Sequence, residues 1–235
     1  MTKHDFKDGN GPVLAHKHPN GGGWVADTAT VADTAYVGPD AKVFGTAWVS
    51  GNAKVFGNAW VFGTAWVFSN AKVFGNAVVS GNALVYADTW VFGDAKVSGN
   101  AKVSENAKVF GNAKVSGNAL VRDGAQVFDD AQVFDDAQVF GTAWVYGNAW
   151  VYDKARVYGN AEVSGNAWVY DAKVFGNAKV FGNAKVSGNA LVSGDDEIGG
   201  GVVIHNCTVS FRNEPSEEQP KKDRIFINGK WYVEE

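Results

Sequence analysis

The sequence predicts an all-β protein folded as a single-stranded parallel β-helix, and three observations support this prediction. Valine recurs every six residues without a gap from Val25 to Val169, at twenty-five consecutive positions. Gly-Asn, Gly-Thr, Asp-Asp or a close variant separates these valines, and both Gly and Asn tolerate the positive φ angles of a tight corner. The chain has 29 Gly but a single Met in 235 residues. This composition is poor in the residues that build helical bundles, and a bundle is therefore excluded.

The repeating unit is Val-(Phe/Ser/Tyr)-Gly-Asn-Ala-(Lys/Trp). In a pleated strand such as residues 60–62 the central Val61 points to one side and its neighbours to the other. Alanine is small enough to turn inward beside the corner. Three such units, each a strand of three residues and a corner, make a triangular coil of eighteen residues that pairs in parallel with the next coil. Residues 24–209 therefore predict about ten coils, and a rod about 50 Å long.

Both ends depart from the repeat. Residues 1–23 contain Gly-Pro, His-Lys-His-Pro and Asn-Gly-Gly-Gly and predict an irregular N-terminal cap. After Val192 the pattern decays, with Asp196 in an inward position. Residues 210–224 are a polar, Pro-containing linker, and residues 225–235 carry Asn-Gly between two β-prone runs, which predicts a C-terminal β-hairpin. A five-residue unit at 169–173 indicates either a shortened corner or a bend with a function.

Charge and composition exclude several classes of partner. The formal net charge of −4 argues against nucleic acid, and a single Cys excludes an intramolecular disulfide framework or a Cys-rich metal site. No apolar run is long enough for a membrane span. The first ten residues, MTKHDFKDGN, are polar and predict no secretory signal.

The repeat closely resembles the left-handed β-helix of the hexapeptide-repeat superfamily, with an aliphatic residue at the first position and a small one at the fifth. The left-handed sense is implied by this resemblance alone. Gly21 to Val31, followed by long Gly-Asn-Ala-x-Val runs, is similar to uncharacterised bacterial and bacteriophage proteins with a Gly-Gly-Trp-Val entry into the β-helix. The near-perfect repetition and the absence of loops indicate a stiff spacer or adhesive rod of the kind used in phage tail fibres and other appendages. We therefore expect a component of a virion, or otherwise a protein of the bacterial cytoplasm.

Many members of the superfamily are acyltransferases, whose catalytic His lies in a cleft between subunits of a trimer. In this chain His4, His16, His18 and His205 all lie outside the regular repeats. No long loop interrupts the repeats. The three-His set of related metal-dependent carbonic anhydrases is also absent from the repeats. We therefore predict no catalytic residue, no metal and no cofactor. A metal shared by His16, His18 and His4 is the alternative for those side chains.

Outward aromatic residues are the most informative anomaly, since 26 of the 31 aromatics flank a repeat valine. Eighteen-residue spacing stacks six of them in one unbroken row, and four Trp add to the outer surface. An exposed apolar patch of that size usually marks an interface, and we expect a homo-oligomer, with a trimer favoured by the resemblance. Stabilisation of neighbouring strands and a glycan-binding surface are the alternatives. The predicted interface residues are Phe56, Phe74, Phe92, Phe110, Phe128, Tyr146, Trp60, Trp66, Trp144 and Trp150.

These observations favour a non-catalytic structural or interaction protein, a stiff β-helical rod that forms or decorates an oligomeric assembly. Other structural proteins of such an assembly are possible partners. An acyltransferase-like protein is the second hypothesis, and it requires a His in a cleft between subunits. A carbohydrate-binding adhesin is the third, and it requires polar groups beside an aromatic face.

Overall fold

The computed structural model of the chain describes residues 2–209, 224–227 and 230–233. In this part of the chain all regular structure is β, with no helix, and the strands form three long sheets. From Trp24 onward the chain visits the three sheets in turn and pairs in parallel with the coil before and the coil after. This arrangement confirms the predicted parallel solenoid of about ten coils. Nothing among the described residues forms a helix that is long and apolar enough to cross a membrane.

The three sheets are numbered by the order in which the solenoid meets them. The first sheet contains the strands Lys3–His4, Val13–Lys17, Trp24–Ala26, Lys42–Val43, Trp60–Val61, Val78–Val79, Lys96–Val97, Lys114–Val115, Gln132–Val133, Trp150–Tyr152, Trp168–Tyr170, Lys185–Ser187 and Val203–His205. The second contains Thr30–Val31, Trp48–Val49, Trp66–Val67, Leu84–Val85, Lys102–Val103, Leu120–Val121, Gln138–Val139, Arg156–Val157, Lys173–Val174, Leu191–Val192, Thr208–Val209, Arg224–Ile227 and Lys230–Val233. The third contains Tyr36–Val37, Lys54–Val55, Lys72–Val73, Trp90–Val91, Lys108–Val109, Gln126–Val127, Trp144–Val145, Glu162–Val163, Lys179–Val180 and Glu197–Ile198.

Three corners join these sheets in every coil. The first corner leads from the first sheet to the second, as at residues 44–47, and the second corner leads to the third sheet, as at residues 50–53. The third corner returns to the first sheet, as at residues 56–59. Most strands are two residues long rather than the expected three. The residue after each strand still takes part in the hydrogen bonding between coils, since the Phe56 N–H donates to the Val73 carbonyl at 3.0 Å.

The interior is a column of Val and Ala that is closed to solvent. Val55, Val73 and Val91 align on successive coils of the third sheet, and each is 0% exposed, as is nearly every repeat valine and alanine. Burying one valine contributes about 1.5–3 kcal/mol before conformational entropy is counted. Thr89 takes one alanine position without exposure because its hydroxyl donates to the Tyr86 carbonyl at 2.7 Å.

The corners turn through residues with positive φ. Gly117 has a φ of 66°, and a Cβ there would lie only 2.6 Å from the backbone nitrogen of Asp135 on the next coil. Asp, whose short polar side chain tolerates this conformation, takes the same corner position at Asp123, Asp129, Asp135, Asp153 and Asp171. The corner therefore places its second residue in the left-handed region, and Gly or Asp occupies it at most corners, with Ser69, Ala87 and Glu105 as exceptions.

Side chains at the corners form hydrogen-bonded ladders with a fixed direction. At the first corner the Thr64 hydroxyl donates to Asn82, Asn82 to Asn100 at 2.9 Å and Asn100 to Asn118 at 3.0 Å. The ladder closes at Asp136, which accepts from Asn118 at 2.9 Å. An ionised carboxylate can only accept a hydrogen bond. The aspartate at the end therefore sets the orientation of every amide before it.

The direction of this hydrogen-bonded ladder predicts that replacing an amide by a carboxylate in its middle destabilises the protein more than replacing the carboxylate at its end by an amide. Asn100→Asp removes the donor that faces Asn118, and we expect it to lower the free energy of unfolding by about 0.5–1.5 kcal/mol. Asp136→Asn is the matched control, because the last position of the ladder only accepts. Thermal unfolding followed by circular dichroism at pH 7 measures both, and equal melting temperatures would contradict the assigned direction.

The N-terminal segment differs from the expected irregular cap. Lys3–His4 pairs antiparallel with Val13–Lys17, which pairs antiparallel with Trp24–Ala26, so both strands extend the first sheet below the first coil. Phe6 is 1% exposed and stacks on Phe44, with ring centroids 4.9 Å apart. This cap forms strands because it buries apolar side chains against the solenoid, and the local Gly and Pro signals do not show such a contact.

The C-terminal hairpin and the five-residue unit follow the sequence pattern. Arg224–Ile227 pairs antiparallel with Lys230–Val233, and Val209 of the last coil pairs with Ile227. The hairpin therefore adds two strands to the second sheet, while residues 210–223 of the polar linker lie outside the described residues. At 169–173 the register shortens to seventeen residues, and the parallel pairing of Arg156 with Lys173 continues. This unit is a corner shortened by one residue.

Candidate functional site

Six aromatic rings form a continuous stack along the third corner, here called the third-corner ladder. Its members are Phe56, Phe74, Phe92, Phe110, Phe128 and Tyr146. Each neighbouring pair has ring centroids 4.9 Å apart and planes within 4° of parallel. The row forms because Val55 and its successors keep an eighteen-residue register, so that the residue after each valine falls on the ring of the coil before. All six rings remain partly exposed.

Two tryptophans of the third sheet pack edge-on against this ladder. Trp90 contacts Phe74 and Phe92 with centroid distances of 6.2 and 6.5 Å, and Trp144 contacts Phe128 at 6.2 Å. Trp90 is 37% and Trp144 43% exposed. The aromatic surface thus widens from the corner onto the third sheet. Trp90 was missing from the predicted residues, although its position directly before Val91 was the available signal.

The four predicted Trp do not form one surface. Trp60 and Trp150 lie on the first sheet, Trp66 on the second and Trp144 on the third. Trp66 is 47% exposed and pairs with Trp48, itself 45% exposed, at a centroid distance of 5.2 Å. Of the four, Trp144 is the one that contacts the third-corner ladder directly. The surface that could serve as an interface is therefore this ladder with Trp90 and Trp144.

The other two corners carry interrupted aromatic rows. At the first corner Phe44 stacks on Phe62, and the row resumes with Phe134, Tyr152 and Tyr170. Serines occupy the gap at Ser80, Ser98 and Ser116. At the second corner two short stacks were not foreseen, although the eighteen-residue spacing contained them: Phe68 on Tyr86, and Phe140 on Tyr158 followed by Phe175.

Lysines cover several tryptophan faces. The Lys72 and Lys108 ammonium groups lie 4.6 and 5.5 Å from the Trp90 ring centroid, on the coils before and after it. The Lys42 ammonium lies 4.8 Å from the Trp60 centroid. Cation–π contacts of this kind contribute about 0.5–1 kcal/mol at exposed sites. Lysine beside tryptophan is therefore part of how the sheets hold their outward rings.

A shallow recess of about 290 Å³ opens on the first sheet beside the third corner. Asn58, Trp60, Asn76 and Val78 line it. It forms because Val78, directly above Trp60 in the parallel register, is much smaller than the indole ring. The side chains therefore leave a gap between one coil and the next.

The histidines occupy separate places. His4 stacks on Trp24 at a centroid distance of 4.2 Å, and burial together with the charges of Lys42 and Lys17 lowers the pKa of His4. His16 contacts Asp27 at 2.8 Å, and His205 contacts Ser187 at 2.9 Å. Within the described part of the chain, no group of three or more His, Cys, Asp or Glu is placed to hold a metal ion.

One carboxylate pair spans two coils at the second corner. The Asp123 backbone N–H donates to a Glu105 carboxylate oxygen at 3.2 Å, and Asp123 accepts from Arg122 at 2.9 Å and from the Gly141 N–H at 3.1 Å. A side-chain hydrogen bond between the two carboxyl groups raises the pKa of Glu105 and lowers that of Asp123. These partners tie the pair into the corner, where it helps to hold neighbouring coils together.

Comparison with known proteins supports the repeat architecture. The family described as YdcK beta solenoid repeat matches residues 155–171, a stretch that ends within the shortened unit at 169–173. No curated protein matches the chain. Together with the three parallel sheets and their eighteen-residue register, the match identifies the chain as a parallel β-solenoid repeat protein.

Proposed function

We propose that the chain is a non-catalytic structural protein, a stiff β-solenoid rod that assembles side by side through the third-corner ladder. The stiffness follows from the fold, because every coil is hydrogen-bonded to its neighbours and shares one uniform apolar interior. In this proposal the solenoid belongs to the left-handed hexapeptide-repeat superfamily that its sequence resembles, and it serves in a virion appendage such as a phage tail fibre.

A comparison of two corners on the same coils supports the interface most directly. On the coils where the third corner carries Phe92, Phe110 and Phe128, the first corner carries Ser80, Ser98 and Ser116. The valines and alanines inside both corners are equally buried at 0% exposure. The fold therefore accepts serine at this position of the repeat, and packing within one chain does not require a row of phenylalanine.

The size of the aromatic surface also favours an interface. Rings stacked over six coils, with Trp90 and Trp144 beside them, form a continuous apolar strip along one edge of the rod. Strips of this kind on a soluble protein usually contact a partner. Identical rods offer identical strips, and packing three corners around one axis would bury all of them at once. We therefore propose a homotrimer.

The experiment is a charge substitution in the middle of the ladder. Phe92→Lys combined with Phe110→Lys places two positive charges in the proposed interface, and we expect it to convert the assembly to a monomer. Size-exclusion chromatography with light scattering gives the mass directly. Ser80→Lys combined with Ser98→Lys is the matched control, since it adds the same charge at the first corner of the coils that carry Phe92 and Phe110. If the control dissociates equally, or the ladder variant keeps its mass, the interface is wrong.

A further inference from the structure

The recess beside Trp60 has the composition of a small binding site. It is lined by one indole ring, two amide side chains and one aliphatic side chain, Val78. Its volume of about 290 Å³ lies just below the roughly 300–1,000 Å³ that is typical of ligand sites. A site of this size accommodates a single ring-sized group.

Trp60 is the one aromatic residue that lines this recess. The Lys42 ammonium lies 4.8 Å from the indole centroid on the preceding coil, and the Phe44 ring contacts the indole edge-on at 6.0 Å. On the following coil the paired residue is Val78, whose side chain is much smaller than the indole ring and lines the recess with it. The indole is thus held by Lys42 and Phe44 at the edge of the recess.

The two amides are held in place but retain hydrogen-bonding capacity. Asn58 donates to Asn76 at 3.1 Å, and Asn76 donates to the Asp94 carboxylate at 2.8 Å. Each amide nitrogen has two hydrogens and each amide oxygen two lone pairs, so these hydrogen bonds use one hydrogen of each nitrogen and leave the second. Because the two amides are already ordered, ligand binding would not cost the conformational entropy of ordering them.

We propose that this recess binds one pyranose unit of a glycan, with the C–H face of the sugar stacked on Trp60. Sugar hydroxyl groups both donate and accept, which matches the spare donors and acceptors of Asn58 and Asn76. A polyanion such as nucleic acid is disfavoured by the net charge of −4. A second copy of the chain is disfavoured as occupant, because a stable protein interface buries about 800 Å² per partner.

The inference goes beyond the proposed assembly and is tested separately from it. Val78→Trp fills the recess with a residue that the same row of the first sheet already carries at Trp60, Trp150 and Trp168. The change therefore blocks the site without disturbing the interior. Leu84→Trp is the matched control, since it stacks the same side chain above Trp66 on the second sheet.

The probes are the methyl glycosides of glucose, galactose, mannose and N-acetylglucosamine, titrated into protein labelled with 5-fluorotryptophan. Fluorine NMR resolves the individual tryptophans, and Trp60→Phe assigns the Trp60 signal. We expect at least one glycoside to shift the Trp60 resonance saturably, and Val78→Trp to lower that affinity at least tenfold while Leu84→Trp leaves it unchanged. The proposal is overturned if no glycoside shifts the Trp60 signal, or if Val78→Trp binds as the natural chain does. Neither outcome bears on the oligomer mass.

Discussion

Val109→Asp is expected to lower the free energy of unfolding by about 4 kcal/mol or more. Val109 is 0% exposed and lies between Val91 and Val127 on neighbouring coils. The column around it is Val and Ala apart from Thr89, whose hydroxyl already donates to the Tyr86 carbonyl, so a carboxylate there would find no free polar partner among its side chains. A buried charge without a partner is among the most costly substitutions known.

The matched control lies one residue away. Lys108 points outward, with its ammonium 5.5 Å from the Trp90 centroid, and Lys108→Gln should lower the free energy of unfolding by no more than the roughly 0.5–1 kcal/mol of that cation–π contact. Chemical denaturation followed by circular dichroism measures both variants. Equal midpoints for Val109→Asp and Lys108→Gln would show that Val109 is not in the interior.

Phe6→Asp is expected to release the N-terminal cap and leave the solenoid folded. Phe6 is 1% exposed and stacks on Phe44, and His4 packs edge-on against it at 4.8 Å. A charge at this position removes the apolar contact of residues 2–17 with the first coils and leaves the antiparallel pairing of Val13–Lys17 with Trp24–Ala26 to hold the cap alone. The strand Trp24–Ala26 then becomes an open sheet edge, which invites pairing with another chain.

Hydrogen exchange measured by mass spectrometry tests this prediction. Amides of Val13–Lys17 should exchange at least tenfold faster in Phe6→Asp, while those of Lys108–Val109 should not change. Leu14→Asp is the control, because Leu14 belongs to the same cap but is 40% exposed. Unchanged exchange in Val13–Lys17 would show that Phe6 does not hold the cap.

The repeat made the solenoid predictable because one residue type marks each structural position. Val55, Val73 and Val91 could be placed on one interior column from their spacing alone, and Phe56, Phe74 and Phe92 on one outer row. Stacking across coils follows directly from an eighteen-residue register. Wherever the eighteen-residue register continues, the sequence is sufficient to assign each residue to the interior or to the outer surface.

The features that the sequence did not reveal depend on contacts without a period. The cap forms strands because Phe6 reaches Phe44, a pairing between a non-repeating segment and the first coils. The recess beside Trp60 depends on a difference in size between two side chains that are eighteen residues apart. A repeat consensus does not contain such differences, so the candidate sugar site is visible only in three dimensions.

The mass of the native assembly tests the central claim most directly. Light scattering of the purified, unmodified chain should give a multiple of the 25.0 kDa chain mass, with three copies as the proposed number. A mass of 25.0 kDa at micromolar concentration would contradict the claim. The third-corner ladder would then stabilise its own strands and nothing more.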